Sequence, residues 1–494
     1  MSHRLELSIT LDLRQEEVAA MKVMFIEPPK QFWFLMGEYL SPPLGILQLA
    51  AYLERGNPDV EIEVVDCQAE SLDWKGLEQR IESFDPDVVA SSGLATCNTY
   101  AVARTSATAK KVKPHVLTVA GGQHFTATAQ ESLREYPEID VIVRGEGEQT
   151  LSELVHSVSE GKPFSQVKGI SFRSNGEIVE TPTRPLIENL DDLPFPGYHF
   201  VKDVIRKYHF TMMAGSEIIY SIIEGSRGCQ HHCTFCTQWR HWGGRYRSKS
   251  GRRIADEMEF CYREFNSRFI WLTDDNFTLG KHASDLCDEI LKRGLGDEIM
   301  WFVQARCDDI IKHKDLVPKM RRAGNRWILL GAESHSKPIL QSLDKEMDPE
   351  ETREAVGILK ENDIFTQTMF ILGHRKDSAE SIANLRRFAN DVDPDLAIFT
   401  LLTPFPRTET YRLARENKWI EDSNWANYDM IHPIMPTQYL SRAELDEELY
   451  RCYRRFYGSW GRRLGGIFSP NQLKRRTYRY MANRGLMNHL RWKT

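Results

Sequence analysis

Long apolar runs are missing from this sequence of 494 residues. None approaches the roughly 20 apolar residues of a helical membrane span, so no span is expected. Cysteine is thin, nine in all, and an odd count spread over so long a chain makes no disulfide framework. The opening MSHRLELSITLDLRQEE lacks the cationic start and apolar stretch of a secretory signal, and its acidic residues depart from a mitochondrial one. These absences predict a cytoplasmic protein with reduced thiols. Strong net charge is absent too: −6 over this length is modest, so the molecule as a whole is not built to bind nucleic acid. No internal repeat and no low-complexity tract interrupts the chain. What is present is ordinary globular composition, 41% hydrophobic and 27% charged, on a chain too long for one compact core.

Residues 1–20 read as a leader, with at most a short strand over Leu5–Leu13. From 21 to 160 strands and helices alternate: strands at Lys22–Glu27, Glu61–Asp66, Val88–Ser92, Val116–Ala120 and Val141–Arg144, with amphipathic helices between them. That rhythm predicts a doubly wound α/β domain, Rossmann-like, with a parallel sheet covered on both faces. Gly121–Gly122 and Gly145–Glu146–Gly147 follow strand C-termini, where such sheets bind ligands. Residues 161–215, with two prolines and a glycine in NLDDLPFPGYHF, read as a linker. Alternation resumes over 216–440, with strands near Ile219–Glu224, Phe269–Leu272, Trp301–Gln304, Trp327–Gly331, Thr368–Leu372 and Leu396–Leu401. Six βα units make a second parallel sheet, open or partly closed into a barrel. Residues 441–494 read as a helical, strongly basic tail.

The sharpest chemical signal is Cys229-Gln-His-His-Cys233-Thr-Phe-Cys236, directly after the first strand of the second sheet. Soft thiolates select iron–sulfur clusters or zinc, and three of them can hold three corners of a [4Fe–4S] cube with one iron left open. A zinc site completed by His231 or His232, or three incidental core thiols, is the alternative. Zinc sites come as paired CxxC units or with a spaced histidine pair, and neither is here. The other six cysteines, Cys67, Cys97, Cys261, Cys287, Cys307 and Cys452, read as ordinary buried thiols.

This CxxxCxFC run, with Phe235 as the aromatic, resembles the radical S-adenosylmethionine (SAM) superfamily. Successive strand ends carry LTDDNF (272–277), QARCDD (304–309), LLGAESHS (329–336), ILGH (371–374) and LTPFPRTETY (402–411), in keeping with that family. The resemblance implies a partial (β/α)6 barrel whose open iron chelates the methionine end of SAM, with reductive cleavage to a 5′-deoxyadenosyl radical. It also implies an outside electron donor such as a ferredoxin or flavodoxin. By position, Phe235, Asp274, Arg306, Glu333, Ser334 and Leu372 are candidate SAM contacts, Arg306 facing the carboxylate and Asp274 the amino end. Relatives of this architecture usually carry a Gly-Thr turn in the last motif, where this chain has Pro406-Arg407-Thr408, and a proline after the fifth strand, where it has His374-Arg375-Lys376. Both departures add cationic groups near the substrate mouth.

The run SPPLGILQLAAYLE, then GGQHFTATAQESL, then VRGEGEQTL, resembles the cobalamin-binding domain fused to one branch of that superfamily. No DxHxxG motif follows the first strand, so the implied cobalamin is base-off with no histidine ligand. The loop 30–42 is expected to cover its lower face through Trp33, Met36, Tyr39 and Leu40. Ser91, Ser92, Thr96, Gly121, Gly122, His124, Gly145, Glu146, Gly147 and Glu148 are expected to line the corrin or its tail. The two resemblances together imply a methyltransferase that moves methyl from SAM through methylcobalamin to an unactivated sp3 carbon. Rival readings are a radical oxidative cyclase, as in the anaerobic magnesium-protoporphyrin ester cyclase, and a non-catalytic corrinoid sensor. The tail from Arg451 has many Lys and Arg, no Asp or Glu, and interleaved aromatics. It is expected either to dock a protein or peptide substrate, such as a side chain of methyl-coenzyme M reductase, or to cap the acidic remainder of the chain.

Overall fold

The computed structural model describes residues 20–483 apart from 31–38, 94, 211–214, 216 and 217. The leader with its expected strand, Trp33, Met36 and residues 484–494 lie outside the described residues.

The first sheet is built from β1 (Lys22–Glu27), β3 (Glu61–Asp66), β4 (Val88–Ser92), β5 (Leu117–Gly121) and β6 (Val141–Val143), all parallel. A two-residue strand, β2 (Tyr39–Leu40), lies apart from it. In β1 the run Val23–Met24–Phe25–Ile26 is wholly buried, as a strand covered on both faces requires. Across the sheet the order is β3-β1-β4-β5-β6, so the winding reverses beside β1. The crevice that this reversal opens, outside the carboxyl ends of β1 and β4, is where a doubly wound sheet takes a ligand.

The segment expected as a linker departs from that reading. β7 (Ile170–Ser174) and β8 (Glu177–Glu180) form a hairpin added antiparallel to β6, giving a seven-stranded sheet. Its turn is Asn175-Gly176 with φ of 51° and 84°, the left-handed pair a two-residue hairpin needs. The Asn-Gly step was the available signal, masked by the loss of βα rhythm. Beyond the hairpin, buried Tyr198 donates its hydroxyl to Ile222 O (2.5 Å) and accepts from Ile222 N (2.9 Å), fastening this stretch to the second sheet.

Before that sheet the short β9 (His209–Phe210) pairs with β2. The second sheet then runs in chain order: β10 (Tyr220–Ile223), and, after the short ladder β11 (Ser226–Arg227) with β12 (Arg247–Ser248), β13 (Phe269–Leu272), β14 (Met300–Ala305), β15 (Asn325–Glu333), β16 (Phe365–Leu372) and β17 (Leu396–Leu401). All six of its strands are parallel. Sequential order with right-handed crossovers puts every helix on one face. Accordingly Ile270, Leu272, Trp301, Val303, Ile328 and Leu330 are fully buried, while Trp271, Gln304, Leu329, Met369 and Ile371 on the opposite face keep some exposure. At the start of the strands that face is plugged by rings: Phe302 stacks on Trp327 at 3.9 Å, and Phe269, Tyr220 and Phe210 join them. The opposite, carboxyl end is left for chemistry.

An open sheet leaves β17 as an edge with unpaired backbone groups. Helix Arg442–Tyr457 covers it. The Ala397 N–H donates to Tyr457 Oη (2.9 Å) and Tyr457 donates back to Ala397 O (2.7 Å); Tyr453 makes the same exchange with Phe399 (3.0 and 2.7 Å). Four helical residues rise about 6 Å, close to the span of two strand residues, so tyrosines at i and i+4 match alternate strand positions. Tyr478 continues the row onto Asp395 O (3.1 Å). Replacing Tyr453 and Tyr457 with phenylalanine should strip partners from buried amides and carbonyls and cost about 1–3 kcal/mol per orphaned group. Urea unfolding followed by circular dichroism measures it; an unmoved midpoint would remove the tyrosines from the list of what holds the edge.

The basic tail is engaged largely with its own fold. Arg462 pairs with Asp393 (2.7 Å) and Lys474 with Asp395 (2.9 Å), while Arg463, Arg475 and Arg479 donate to backbone carbonyls of residues 457, 469 and 467. Of the densest basic run, Arg462 and Lys474 are thus ion-paired beside β17, while Arg463, Arg475 and Arg479 bond to carbonyls of the tail itself. Trp460 and Phe468 are each 73% exposed. Among the described residues no helix is long and apolar enough to cross a membrane.

Candidate functional site

The β11–β12 ladder closes the base of the cysteine loop. Gly228 has φ of 89°, and a Cβ there would collide with the carbonyl of Arg245, so only glycine turns the chain into Cys229. Asp275 takes the Gly228 amide (3.1 Å) and the Trp242 indole N–H (2.7 Å). Farther along, Thr234 N donates to Leu343 O (2.9 Å), Thr410 N to Thr234 O (3.1 Å) and Trp239 Nε1 to Cys233 O (3.1 Å). The loop is thus fixed from four elements by backbone bonds that leave its sulfurs uncommitted.

Cys233 is buried and Cys229 and Cys236 half-buried, all as free thiols. Burial raises all three, Cys236 to about 12, while Arg306 and Lys345 pull Cys229 and Cys233 the other way. Cys236 lies in the field of both Cys229 and Cys233. Ligation must expel these protons, and the two nearby cations favour the anionic assembly that results. A zinc site completed by a histidine would need His231 or His232 turned in beside the thiols. His232 instead packs edge-on against Trp239 at 4.9 Å. A cube spreads its ligands over separate irons, so three spaced thiols on one loop fit it.

Along the rim, two of the expected contacts depart from the sequence reading. Glu333 stands where the β15–β16 register slips, with φ of 59°, and its buried carboxylate pairs with buried Lys345 at 2.9 Å. Bulges of this kind re-aim side chains beside active sites. Ser334 is buried next to it, and Phe235 packs on the cluster of Ile339, Leu343, Leu402 and Met435. Arg306 forks onto Asp308 (2.9 and 3.1 Å) and donates to Glu346 O (2.9 Å). Asp274, expected at the SAM amino end, is fully buried and accepts from Gly225 N (2.7 Å), Ser226 N (3.0 Å) and the Ser226 hydroxyl (2.8 Å). Burial raises it to about 6, and those donors fix it as the brace of the loop's stem rather than a free ligand. Leu372 is fully buried on the helix-covered side; its neighbour Ile371, on the other side, is the one packed with Phe235's cluster.

In the first sheet, Gly93, Thr96 and the Gly121–Gly122 turn converge at the crevice. Gly122 has φ of 91°, and a Cβ on it would stand 2.7 Å from Gly93 O. His124 is buried, 3.4 Å from the Thr96 hydroxyl, with its ring 5.0 Å from Trp425; burial lowers it to about 4, so it stays neutral. Gly145 donates to Thr126 Oγ1 (3.1 Å), and Gly147 leaves room for Leu49. Ser92 pairs with Gly121 in the ladder and is half-exposed. Ser91, by contrast, donates its hydroxyl to Ile26 O (2.9 Å) inside the sheet. Tyr39 and Leu40 are corrected too: β2 carries them onto the aromatic plug, Tyr39 lying 5.2 Å from Phe210 and 6.3 Å from Trp271, because pairing with β9 places them there.

Glu146 and Glu148, expected to line a corrin, instead reach across to the cysteine loop. Arg227, two residues before Cys229, pairs with Glu146 (2.7 Å), Glu148 (2.5 Å) and Glu224 (2.8 Å), and Arg247 also pairs with Glu146 (2.9 Å). Trp242 lies over both guanidiniums, at 5.4 and 5.7 Å. Sequence reasoning missed Arg227, Lys345, Trp242 and Asp275, since nothing local distinguishes them from surface polar residues. A second junction joins Thr237 Oγ1 to Gln123 Oε1 (3.1 Å), with Gln238 on the same glutamine. The crevice of the first sheet and the cysteine loop are therefore neighbours.

Comparison with known proteins agrees with this layout. The family profile "B12 binding domain" matches residues 37–155, and "Radical SAM superfamily" matches 223–389. The chain is 30% identical over 442 residues to an uncharacterised methyltransferase of Pyrococcus horikoshii, covering 88% of this chain and 92% of that one. It is 32% identical over 445 residues to the anaerobic magnesium-protoporphyrin IX monomethyl ester cyclase of Rubrivivax gelatinosus, covering 88% and 77%. The fold is shared with the radical SAM methyltransferase TsrM of Kitasatospora setae, solved with cobalamin and a [4Fe–4S] cluster bound. There the TM-score is 0.71 at 16% identity, over 96% of this chain and 99% of that one.

Proposed function

The chain belongs to the cobalamin-binding branch of the radical SAM superfamily, an enzyme family using a [4Fe–4S] cluster, SAM and cobalamin, and on that premise we propose that it methylates an unactivated sp3 carbon. Bound together, these groups supply a hydrogen-abstracting radical and a methyl carrier, which is chemistry the side chains cannot perform. The protein's part is placement. Cys229, Cys233 and Cys236 hold the cluster, with Glu333, Ser334 and Arg306 around the methionine end of SAM. Gly93, Thr96, Gly122 and His124 would form the wall that holds the corrin, and residues 28–43 offer no histidine to it. A ferredoxin- or flavodoxin-like protein supplies the electron.

One observation carries this reading: the corrin crevice and the cysteine loop touch, through Gln123–Thr237 and Glu146–Arg227. Methyl transfer needs both groups to reach one carbon, whereas a sensor needs no such junction. With Arg462 and Lys474 paired beside β17, the reading takes a small substrate entering at the sheet's carboxyl end over a docked protein side chain.

Product mass tests it. Methylation adds about 14 Da per turnover, while ring closure of the kind named for the Rubrivivax relative removes hydrogen. Deoxyadenosine formation with a product lacking the added mass would leave the cyclase reading standing and remove methylation.

A further inference from the structure

Beside the cysteine loop lies an open cavity of ≈ 400 Å³ whose wall carries four arginines, Arg240, Arg407, Arg412 and Arg415, and two carboxylates, Glu409 and Glu416. Arg412 binds both glutamates, through Nη1 to Glu416 (2.7 Å) and Nε to Glu409 (3.0 Å). The other three guanidiniums form no ion pair among the described residues, although Arg240 lies in the field of Glu409, and the wall is left two positive charges in excess. The Arg240 guanidinium lies over the Trp239 ring at 4.3 Å, and its buried Nε–H has no hydrogen-bond acceptor among the described residues. Arg407 also sits within electrostatic reach of Arg144 on the first domain, adding like charge across the junction. Unneutralised guanidiniums facing one space repel one another and want an anion.

Arg407 adds an independent observation. Its φ is 67°, the left-handed region that glycine enters freely and a side chain enters only under strain. It is exposed and makes no ion pair within the described chain. A strained position keeping a large cation in place of glycine points to work done by the cation. The cavity is also well placed for such work. Arg240 is on helix Gln238–His241, which leaves the cysteine loop, and Thr410, on helix Glu409–Glu416, donates to Thr234 inside that loop.

We infer that Arg407, Arg240 and Arg415 bind a carboxylate or phosphate group at the mouth of the site. The inference deepens the methyl-transfer reading by giving the substrate an anionic handle. That handle anchors the molecule at the rim while its reacting carbon extends inward. The same oxyanion chemistry is available from the nucleotide-loop phosphate of cobalamin, so the two sources need separate arms.

The experiment uses the full chain with its cluster, and inorganic phosphate as probe, by calorimetric titration at fixed ionic strength. Arg407→Gly removes the guanidinium and the strain together. It should melt at or above the wild-type temperature yet bind phosphate about tenfold more weakly, the loss of one charge-assisted contact. Arg240→Gln should weaken phosphate to a similar degree. If the occupant is a substrate oxyanion, affinities for cobalamin and for cobinamide, which lacks the phosphate, both stay at wild type. If it is the cobalamin phosphate, Arg407→Gly weakens cobalamin alone. Phosphate affinity unchanged in both variants overturns the inference. No turnover enters the titration, so this result and the product-mass result fail independently.

Discussion

Replacing Cys229, Cys233 and Cys236 together with alanine should abolish both the iron and the deoxyadenosine. The wild-type chain, reconstituted anaerobically, should bind about four irons, as one cube requires. The fold should survive the triple substitution. The loop is held by Gly228, Thr234 and Trp239 through bonds that involve no sulfur atom. Loss of iron with an unchanged circular dichroism spectrum therefore separates ligation from folding. Cys261 and Cys287 are deeply buried thiols on helices Gly251–Phe265 and Lys281–Lys292, outside the loop. Conversion of either of these to alanine should leave iron content intact while lowering stability by a cavity effect of about 1–2 kcal/mol. Iron and deoxyadenosine persisting in the triple variant would end the cluster assignment; iron lost equally from a control would make the loss a matter of folding.

Arg227→Ala has the largest expected effect on stability. It leaves Glu146, Glu148 and Glu224 with Arg247 alone, inside a junction where the first two are almost inaccessible. Breaking a buried pair in this way costs about 3–5 kcal/mol, because the remaining charges stay desolvated. The pH dependence should change sign. Burial works to raise Glu148, yet Arg227's charge and hydrogen bond hold its carboxyl below the ordinary 4.5. A depressed carboxyl contributes stability that is present above that value and is lost as pH falls through the folded pKa. Without Arg227 only the raising influence of burial remains strong, so acidification toward pH 4.5 should stabilise the variant. Guanidinium unfolding at a series of pH values reads both effects. Adding Glu146→Gln and Glu148→Gln to Arg227→Met should recover much of the loss, since neutral groups of the same shape carry no charge penalty. An Arg227→Ala chain as stable as wild type at neutral pH would mean that the junction is solvated and that the two domains are held elsewhere.

Strand positions were legible to within a few residues in both sheets because buried parallel strands are short apolar runs, and KVMFIE or LAIFTL admits little else. The hairpin at 170–180 was hidden because its outer strand, EIVE, is half-exposed and carries no apolar face to betray it. At the site, glycines and cysteines were readable since each does something that no other residue type can. Carboxylates were not. Asp274 and Asp275 are adjacent and chemically identical, yet one braces Gly225 and Ser226 while the other holds Gly228 and Trp242. Leu372 and Ile371 differ only in which way a strand residue points, and a shift of one residue exchanges the faces.

The sequence by itself determined the spaced cysteine motif, the two α/β rhythms, the corrin-type first domain and the absence of a histidine after β1. Each of these depends on residue type and spacing along the chain, which are local properties. Tertiary structure alone decided the rest. It turned Glu146 and Glu148 from corrin candidates into partners of Arg227, about 80 positions away in the chain. It gave the basic tail to the edge of β17 and left Arg407 unneutralised in a left-handed turn. Charges and hydrogen-bonding groups act through space over a few ångströms, so their roles follow from what folding brings beside them.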